Sequence, residues 1–249
     1  MQLHLMSWPE VETYLAKRSD IIIPIGSTEQ HGPTGLIGTD CICPEAIALR
    51  AAEKVGALVG PTFNVGSAQH HMGFAGSMTL RPSTFVAVLF DWITSLTHHG
   101  FTHIYLLNGH GGNVPSVEAS FAEVYASRSL SGHKDEELRP LRCKLQNWWE
   151  LKGVMRLCRE LFPNGHGSHA TPSEVAVTQF VYPDAIKAAK LDPKIAPIGP
   201  IMDAADYKRR FPDGRIGSDP SQASVDRGEK LVTCAVDALA DAYREFVTS

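Results

Sequence analysis

Three short runs of apolar, largely β-branched residues constrain the fold of this chain most. They span residues 21–25, 57–59 and 104–107, and each is followed by a glycine-rich or polar loop. Such runs are typical of buried strands. Residues 43–55 and 82–98, which lie between them, place apolar side chains at helical spacing. Because near-continuous apolar strands alternate with helices, the pattern predicts a mostly parallel central sheet that is covered by helices on both faces.

The rest of the chain continues this alternation. Residues 113–127 predict the crossover helix after the third strand, and residues 141–146 predict a fourth strand. Residues 131–140 are polar and predict a surface excursion, since strand-like sequence resumes at once. Residues 187–224 are rich in Pro, Gly and Asp and predict an ordered loop over the domain. Residues 228–249 carry one apolar stripe and predict a closing amphipathic helix.

No composition shift or linker divides the chain, so residues 1–249 are expected to form a single domain. The sequence has 27 acidic and 23 basic residues and a net charge of −4, with no dense basic run. It therefore lacks the electrostatic footprint of a protein that binds nucleic acid or an anionic membrane. The five cysteines include no CxxC pair, which argues against a disulfide framework and a thiolate zinc site.

Two further absences predict the compartment. No apolar stretch approaches the roughly 18 residues of a membrane-spanning helix. The first residues lack the basic-then-apolar order of a secretory signal. We therefore expect a cytoplasmic protein.

The first group of chemically competent residues directly follows the first predicted strand. Glu29 and His31 are two residues apart, so in an extended segment they face the same side. Asp40 returns after a turn rich in Gly and Pro. Two carboxylates and an imidazole suit Zn²⁺ or Mn²⁺. The alternative is a polar surface loop in which His31 only caps a neighbour.

The second group, Asn-Gly-His-Gly-Gly-Asn at residues 108–113, follows another predicted strand and opens a helix. Ligands bind at the carboxyl ends of strands in open α/β sheets, so His110 is expected near the first group. The glycines could instead cradle a phosphate, although neither the dinucleotide-binding nor the P-loop spacing is present. They could also simply permit a tight turn with Asn113 as the helix N-cap.

The third group lies at residues 165–174, just before an apolar helical run. His169 can carry protons near neutral pH, and Glu174 is either a further metal ligand or an acid/base. The structural alternative is that Thr171 or Ser173 caps the helix and Glu174 occupies its first turn, where the helix dipole favours an acid.

Three further features are left without an assigned role. His70 and His71 are adjacent and point in different directions, so at most one is expected to face a pocket. His166 lies in the third group. The pair Trp148 and Trp149 could form an aromatic wall for a planar substrate or pack in the core.

Taken together, these groups resemble the creatininase (creatinine amidohydrolase) family. The resemblance is carried by Glu-Gln-His-Gly-Pro at residues 29–33 with Thr39 and Asp40, by residues 108–113, and by His169 followed five residues later by Glu174. It implies an α/β/α three-layer fold and commonly a homohexamer. It also implies a binuclear centre of two divalent ions per chain, expected to be zinc, with manganese or iron as alternatives.

Carried over residue by residue, the resemblance implies that Glu29, His31, Asp40 and His110 bind metal, with Asp40 as the bridge. It also places His169 close to the substrate as a catalytic residue. The sequence has Gly112 where creatininase itself has Glu. Glu174 is then expected to complete the second metal site or to act as an acid/base.

The resemblance and the residues together predict a metal-dependent hydrolase of a small-molecule amide. It would cleave the C–N bond of a cyclic amide or formamide with metal-activated water, while His169, with or without Glu174, protonates the departing nitrogen. One alternative is a metallopeptidase that trims a short peptide. A second is a non-catalytic module that binds metal or ligand.

Overall fold

Four parallel strands form a central sheet in the part of the chain that the structure describes. The structure is a computed structural model and describes residues 1–131 and 140–248. The strands are β1 (Asp20–Ile25), β2 (Leu58–Val59), β3 (His103–Asn108) and β4 (Arg142–Asn147). They lie side by side in the order β2, β1, β3, β4, and every neighbouring pair is parallel.

Eight α-helices accompany the sheet within the described residues. They are α1 (Trp8–Leu15), α2 (Thr39–Val55), α3 (Pro82–His99), α4 (Val114–Leu130), α5 (Val154–Leu161), α6 (Pro172–Val181), α7 (Ala204–Arg210) and α8 (Val225–Thr248).

Alternate residues of the strands pack into two separate cores. Ile22 and Tyr105 face a core that also receives α2, α5, α6 and α8. Ile21, Ile23 and Ile104 face the opposite core, which receives α1, α3 and α4. This division confirms the predicted α/β fold with a parallel sheet between two helical layers, because β1, β2 and β3 bury both of their faces, whereas the edge strand β4 is only partly buried.

The sequence patterns misplaced some boundaries. Helix α2 begins at Thr39, not at residue 43, and Pro44 lies inside it. The crossover helix begins one residue later than predicted and extends to Leu130. The expected loop at 187–224 contains helix α7, whose N-cap Asp203 accepts a hydrogen bond from the Asp206 N–H. The predicted excursion at 131–140 lies almost wholly outside the described residues.

The register of the sheet determines where the loops emerge. Ile25 pairs with Asn108, and Asn108 pairs with Asn147, so three strands end at the same level. The loops after β1, β3 and β4 therefore leave from one edge and lie next to each other. No helix in the described ranges is long and apolar enough to cross a membrane.

Candidate active site

Two glycines bring the loops after β1 and β3 against the first turn of α2. A Cβ atom built on Gly26 would lie 2.3 Å from the Asp40 carbonyl oxygen, and one built on Gly109 would lie 1.9 Å from the same atom. Both separations are far below van der Waals contact. Only glycine therefore allows these backbones to approach so closely.

Asn113 ties the same region together. Its Nδ2 donates to the Gly26 carbonyl at 2.9 Å, and its Oδ1 accepts from the Ser67 N–H at 3.0 Å. Asn113 does precede α4, but its side chain makes no capping hydrogen bond. Asn113 thus occupies the N-cap position that the sequence offered as an alternative, but its side chain joins loops and does not cap the helix.

Around this junction, two buried carboxylates meet two imidazoles. His31 Nε2 lies 3.0 Å from Asp40 Oδ1, and His110 Nδ1 lies 3.1 Å from Asp40 Oδ2. His110 Nδ1 also lies 3.2 Å from Glu29 Oε1. Asp40 thus directs one oxygen at each imidazole. The carboxylates are 0% and 4% exposed for Glu29 and Asp40, so water does not solvate them.

Backbone carbonyls determine which nitrogen of each imidazole carries a proton. A carbonyl only accepts, so the ring nitrogen beside it must donate. His31 Nδ1 is 3.1 Å from the Glu29 carbonyl, and His110 Nε2 is 3.1 Å from the Ser67 carbonyl. In the neutral rings the opposite nitrogens, which face the carboxylates, then carry lone pairs. Such outer hydrogen bonds are typical of metal-binding histidines.

The charges in this cluster favour a cation. Burial opposes protonation of His31, but the neighbouring carboxylates, Asp40 before Glu174 and Glu29, together outweigh burial and raise the pKa of His31 to about 10. Burial likewise opposes protonation of His110, whose pKa Glu29 and Asp40 raise well above its ordinary value. Within the described residues, both Glu29 oxygens and Asp40 Oδ2 accept no aligned hydrogen bond. Since buried carboxylates need compensation, these residues fit a divalent metal ion.

His169 approaches the cluster from the loop before α6. Its Nε2 lies 2.8 Å from the Gln30 carbonyl and 3.0 Å from Gln30 Nε2, and the shorter contact assigns it as the donor to the carbonyl, while Nδ1 lies 3.9 Å from Glu29 Oε1. Burial, followed by the charges of His31 and His71, holds the pKa of His169 well below its ordinary value. His169 is thus neutral near pH 7, with a lone pair on the nitrogen that faces Glu29.

Glu174 lies in the first turn of α6, which Thr171 caps, as the structural alternative in the sequence analysis predicted. Its carboxylate accepts from the Thr171 N–H, and Thr171 Oγ1 accepts from the Glu174 N–H at 3.3 Å, which forms a capping box at the start of α6. None of the carboxylate–imidazole contacts of the described residues involves Glu174. Burial raises its pKa to about 7, partly opposed by His31. Its role as ligand or acid/base remains a prediction.

A cavity of about 460 Å³ opens onto this cluster. Such a volume lies within the range of small-molecule sites. Both Trp148 and Trp149 line it, as the aromatic-wall alternative required, although Trp148 is also buried in a hydrophobic core, as the other alternative required. Both His70 and His71 line the cavity as well. The expectation that at most one of the paired histidines faces a pocket is therefore wrong. Their short 3₁₀ turn at Gln69–His71 brings both rings to the cavity.

Several lining residues had no signal in the sequence. Tyr207 lies on α7 and donates its hydroxyl to the Gly214 carbonyl at 2.9 Å. Ile201 and Ile216 line the cavity from the same region, which the sequence indicated only as an ordered loop. His166 also lines the cavity, and its Nε2 contacts Ser173 Oγ at 2.9 Å.

A family model described as creatininase, creatinine amidohydrolase, matches residues 4–243 of the chain. The chain belongs to the creatininase family. Within this family, it is similar to the creatinine amidohydrolase of Pseudomonas putida, at 26% identity over 252 aligned residues, which cover 96% of this chain and 95% of that protein. It is also similar to the mycofactocin precursor peptide peptidase of Mycolicibacterium smegmatis, at 24% identity over 236 residues, 91% of this chain and 85% of that protein.

The fold agrees with solved members of the creatininase family. A mutant creatininase described as Zn-Zn type superposes with a TM-score of 0.86 at 24% identity, covering 100% of this chain and 98% of that one. This likeness shows that the fold is that of creatininase. The curated relatives are hydrolases, and the described residues include a cluster able to bind a divalent metal.

Proposed function

We propose that this protein is a metal-dependent amidohydrolase that uses water to cleave the C–N bond of a small polar cyclic amide or formamide. The observation that carries the proposal is the position of Asp40, whose two oxygens face His31 and His110, next to the buried Glu29. This donor set supports two metal ions that share one carboxylate. Residues 1–249 would form the single domain that carries the site.

The separations between the donor atoms support metal coordination. Atoms bound at 2.0–2.2 Å to one ion, at angles between octahedral and tetrahedral, lie about 2.8–3.6 Å apart. The contacts of Asp40 with His31 and His110, and of Glu29 with His110, measure 3.0–3.2 Å. In this proposal, Glu29, Asp40 and His110 hold one ion, and Asp40 and His31 hold the other.

The ion assigned to Asp40 and His31 would have only two ligands from these contacts, against three for the other ion. Glu174 is the remaining carboxylate of the third sequence group and lines the same cavity. It would complete the second site or serve as an acid/base beside it. Zinc is the proposed metal, since carboxylate and imidazole ligands suit it, and manganese and iron share that preference.

The chemistry divides between metal and protein. When bound, a pair of divalent ions would supply a water of lowered pKa, towards about 7, and a polarised amide carbonyl. The protein supplies His169, whose neutral Nδ1 accepts a proton from the attacking water and passes it to the departing nitrogen. The Gln30 carbonyl, at 2.8 Å from Nε2, stabilises His169 while it is charged.

The cavity supports a small planar substrate. Its walls include Trp148, Trp149 and Tyr207, against which a flat amide can stack. Trimming of a short peptide is the second candidate, favoured by the similarity to the M. smegmatis peptidase. From the family resemblance we further propose that the protein assembles as a homohexamer, and we keep the expectation from the sequence that it is cytoplasmic.

The first experiment measures metal content by plasma mass spectrometry on protein purified without chelator or affinity histidines. We expect about two ions per chain in the wild type and loss of metal in Asp40→Ala. The loaded wild type is then assayed on creatinine, N-formyl amines and short peptides.

His169→Gln serves as the matched variant, because it should keep its metal and lose turnover. Turnover of peptides alone would favour the peptidase. A wild type that takes up no metal on reconstitution, or that binds metal but hydrolyses no amide, would move the non-catalytic binding module to first place.

A further inference from the structure

The imidazole of His71 has no role in the metal site proposed above, although it touches that site. It is 2% exposed, and its Nε2 lies 3.0 Å from Glu29 Oε1, closer than any other imidazole nitrogen that contacts this carboxylate. Ligand atoms of Glu29, His71 and His169 lie within 4.8 Å of one another. On distance alone, His71 would therefore qualify as a metal ligand.

The other nitrogen of this ring faces the side chain of Gln30. Gln30 Nε2 lies 2.9 Å from His71 Nδ1, 3.0 Å from the Gly214 carbonyl and from His169 Nε2, and 3.2 Å from the Tyr207 hydroxyl. Because His169 Nε2 is assigned as the donor to the Gln30 carbonyl, we assign the two amide hydrogens to the two closest acceptors, His71 Nδ1 and the Gly214 carbonyl. Gln30 Oε1 accepts from the Gly32 N–H at 2.8 Å. Rotating the amide by 180° would place oxygen against the Gly214 carbonyl and nitrogen against the Gly32 N–H. The amide orientation is thus determined by its neighbours.

This orientation determines the tautomer of His71. An amide nitrogen is only a donor, so His71 Nδ1 must accept, and the ring proton of the neutral imidazole lies on Nε2. The rings of His31, His110 and His169 differ, because each donates to a backbone carbonyl and turns a lone pair towards the carboxylates. Gln30 contributes to both arrangements, as its side chain donates to His71 and its carbonyl accepts from His169.

We propose that His71 is a positioning residue that donates its Nε2–H to Glu29 and does not bind metal, and that Gln30 holds it in this tautomer. The proposal rests on the metal site of the proposed function. A nitrogen that carries a proton has no lone pair for an ion, whereas it can orient a carboxylate that does. His110 and His169 offer Glu29 lone pairs, which leaves His71 as the donor among these three rings.

The hydrogen bond requires a small adjustment of Glu29. In the described residues, no aligned hydrogen bond reaches either Glu29 oxygen, despite the 3.0 Å separation from His71. The terminal torsion of a glutamate is soft, so the carboxylate can rotate to accept the proton. Loss of such an outer partner typically lowers metal affinity about 10- to 100-fold.

The direct test is a long-range ¹H–¹⁵N correlation spectrum of the imidazoles in the zinc-loaded protein, with His71 assigned by the loss of its signals in His71→Gln. We expect a proton on Nε2 and no zinc-shifted nitrogen in His71. A proton on Nδ1, or a zinc-shifted Nε2, would overturn the proposal.

Two substitutions supply an independent test through zinc affinity, measured by competition with a chromogenic chelator. Gln extends an amide N–H to about the position of Nε2, whereas Asn reaches only that of Nδ1. We expect His71→Asn to bind zinc about 10- to 100-fold more weakly and His71→Gln to recover most of that loss. If His71→Asn and His71→Gln each lost one zinc equivalent, His71 would be a metal ligand. If both variants kept the wild-type zinc affinity, His71 would serve only for packing. Either result would refute the proposal.

These measurements separate the two proposals. A wild type that binds no zinc, manganese or iron would refute the proposed function. The same spectrum of the metal-free protein would still report whether His71 Nδ1 carries a proton.

Discussion

Replacing Gly109 by Ala tests whether the close approach of two loops builds the site. The added methyl carbon would lie 1.9 Å from the Asp40 carbonyl oxygen and 2.8 Å from Pro44 Cδ. Ordinary contact between such atoms begins at about 3.4 Å, so the loop after β3 and the start of α2 must separate by roughly 1.5 Å. His110 follows Gly109 directly, and its contact with Asp40 is only 3.1 Å long. The substitution should therefore disturb that contact.

Two effects of different size are expected from Gly109→Ala. Overpacking of a well-packed site typically costs about 1–3 kcal/mol of unfolding free energy, which lowers Tm by several degrees in a chain of this length. Displacement of metal ligands should lower zinc affinity about 10- to 100-fold, as the loss of an outer partner does. Zinc affinity should thus fall even under conditions in which the variant is fully folded.

Gly111→Ala is the matched control. A Cβ on Gly111 would meet nothing within 4 Å, and neither glycine has a positive φ, so both backbones accept alanine. The measurement is zinc affinity by chelator competition, and circular dichroism establishes that each variant is folded. Turnover is not used, because Gly111 lines the cavity and the methyl group of Gly111→Ala could affect substrate binding. Wild-type zinc affinity in folded Gly109→Ala would refute the argument from close approach.

Three further predictions concern stability. Chelation of the metal should lower Tm, because an ion that binds only the folded state stabilises it. At a free-ion concentration of 100 times Kd, the gain in unfolding free energy is about 2.7 kcal/mol. Identical melting curves with EDTA and with zinc would contradict this. Burial opposes ionisation of Asp20, but its hydrogen bonds with Arg18 and Tyr243 and the charge of Arg18 together outweigh burial and hold the pKa of Asp20 below its ordinary value. A lowered carboxyl pKa stabilises the fold above the unfolded pKa of about 3.9, and this stability is lost as the pH falls through the folded value. Asp20→Asn should therefore destabilise the protein at pH 7, by urea titration, with a difference that shrinks below about pH 4. The guanidinium of the fully buried Arg215 donates to the carbonyls of Pro193 and Ser218. Arg215→Met leaves these carbonyls without their donor and should lower the unfolding free energy by about 1–3 kcal/mol in the same titration, whereas an unchanged urea midpoint would contradict this.

The main features of the fold could be predicted from the sequence because they depend on local patterns of apolar and polar residues. Apolar runs of strand length alternate with helical stripes, and the polar motifs follow directly after β1 and β3. The carboxyl ends of parallel strands meet at one edge, so the convergence of Glu29, Asp40 and His110 followed from their order along the chain. The observed contacts among these three residues agree with that expectation.

Local rules failed where distant segments decide the outcome. Pro44 favoured a helix start at residue 43, yet α2 begins at Thr39, with Asp40 in its first turn. The side chain of Gln30 contacts Tyr207 and Gly214, which lie 177 and 184 residues further along the chain. No pattern near Gln30 could indicate these partners, so its influence on the imidazoles was not predictable.

Period-two alternation explains how three adjacent residues take part in two different networks. Glu29 and His31 turn their side chains to the Asp40 cluster, whereas Gln30, between them, turns its side chain towards Gly214. A displacement of Gly214 therefore moves the amide that sets the tautomer of His71, and with it the donor beside Glu29. The loop that lines the cavity and the carboxylates that would hold the metal are thus coupled through one side chain, so a substitution in that loop can change metal affinity without touching a ligand.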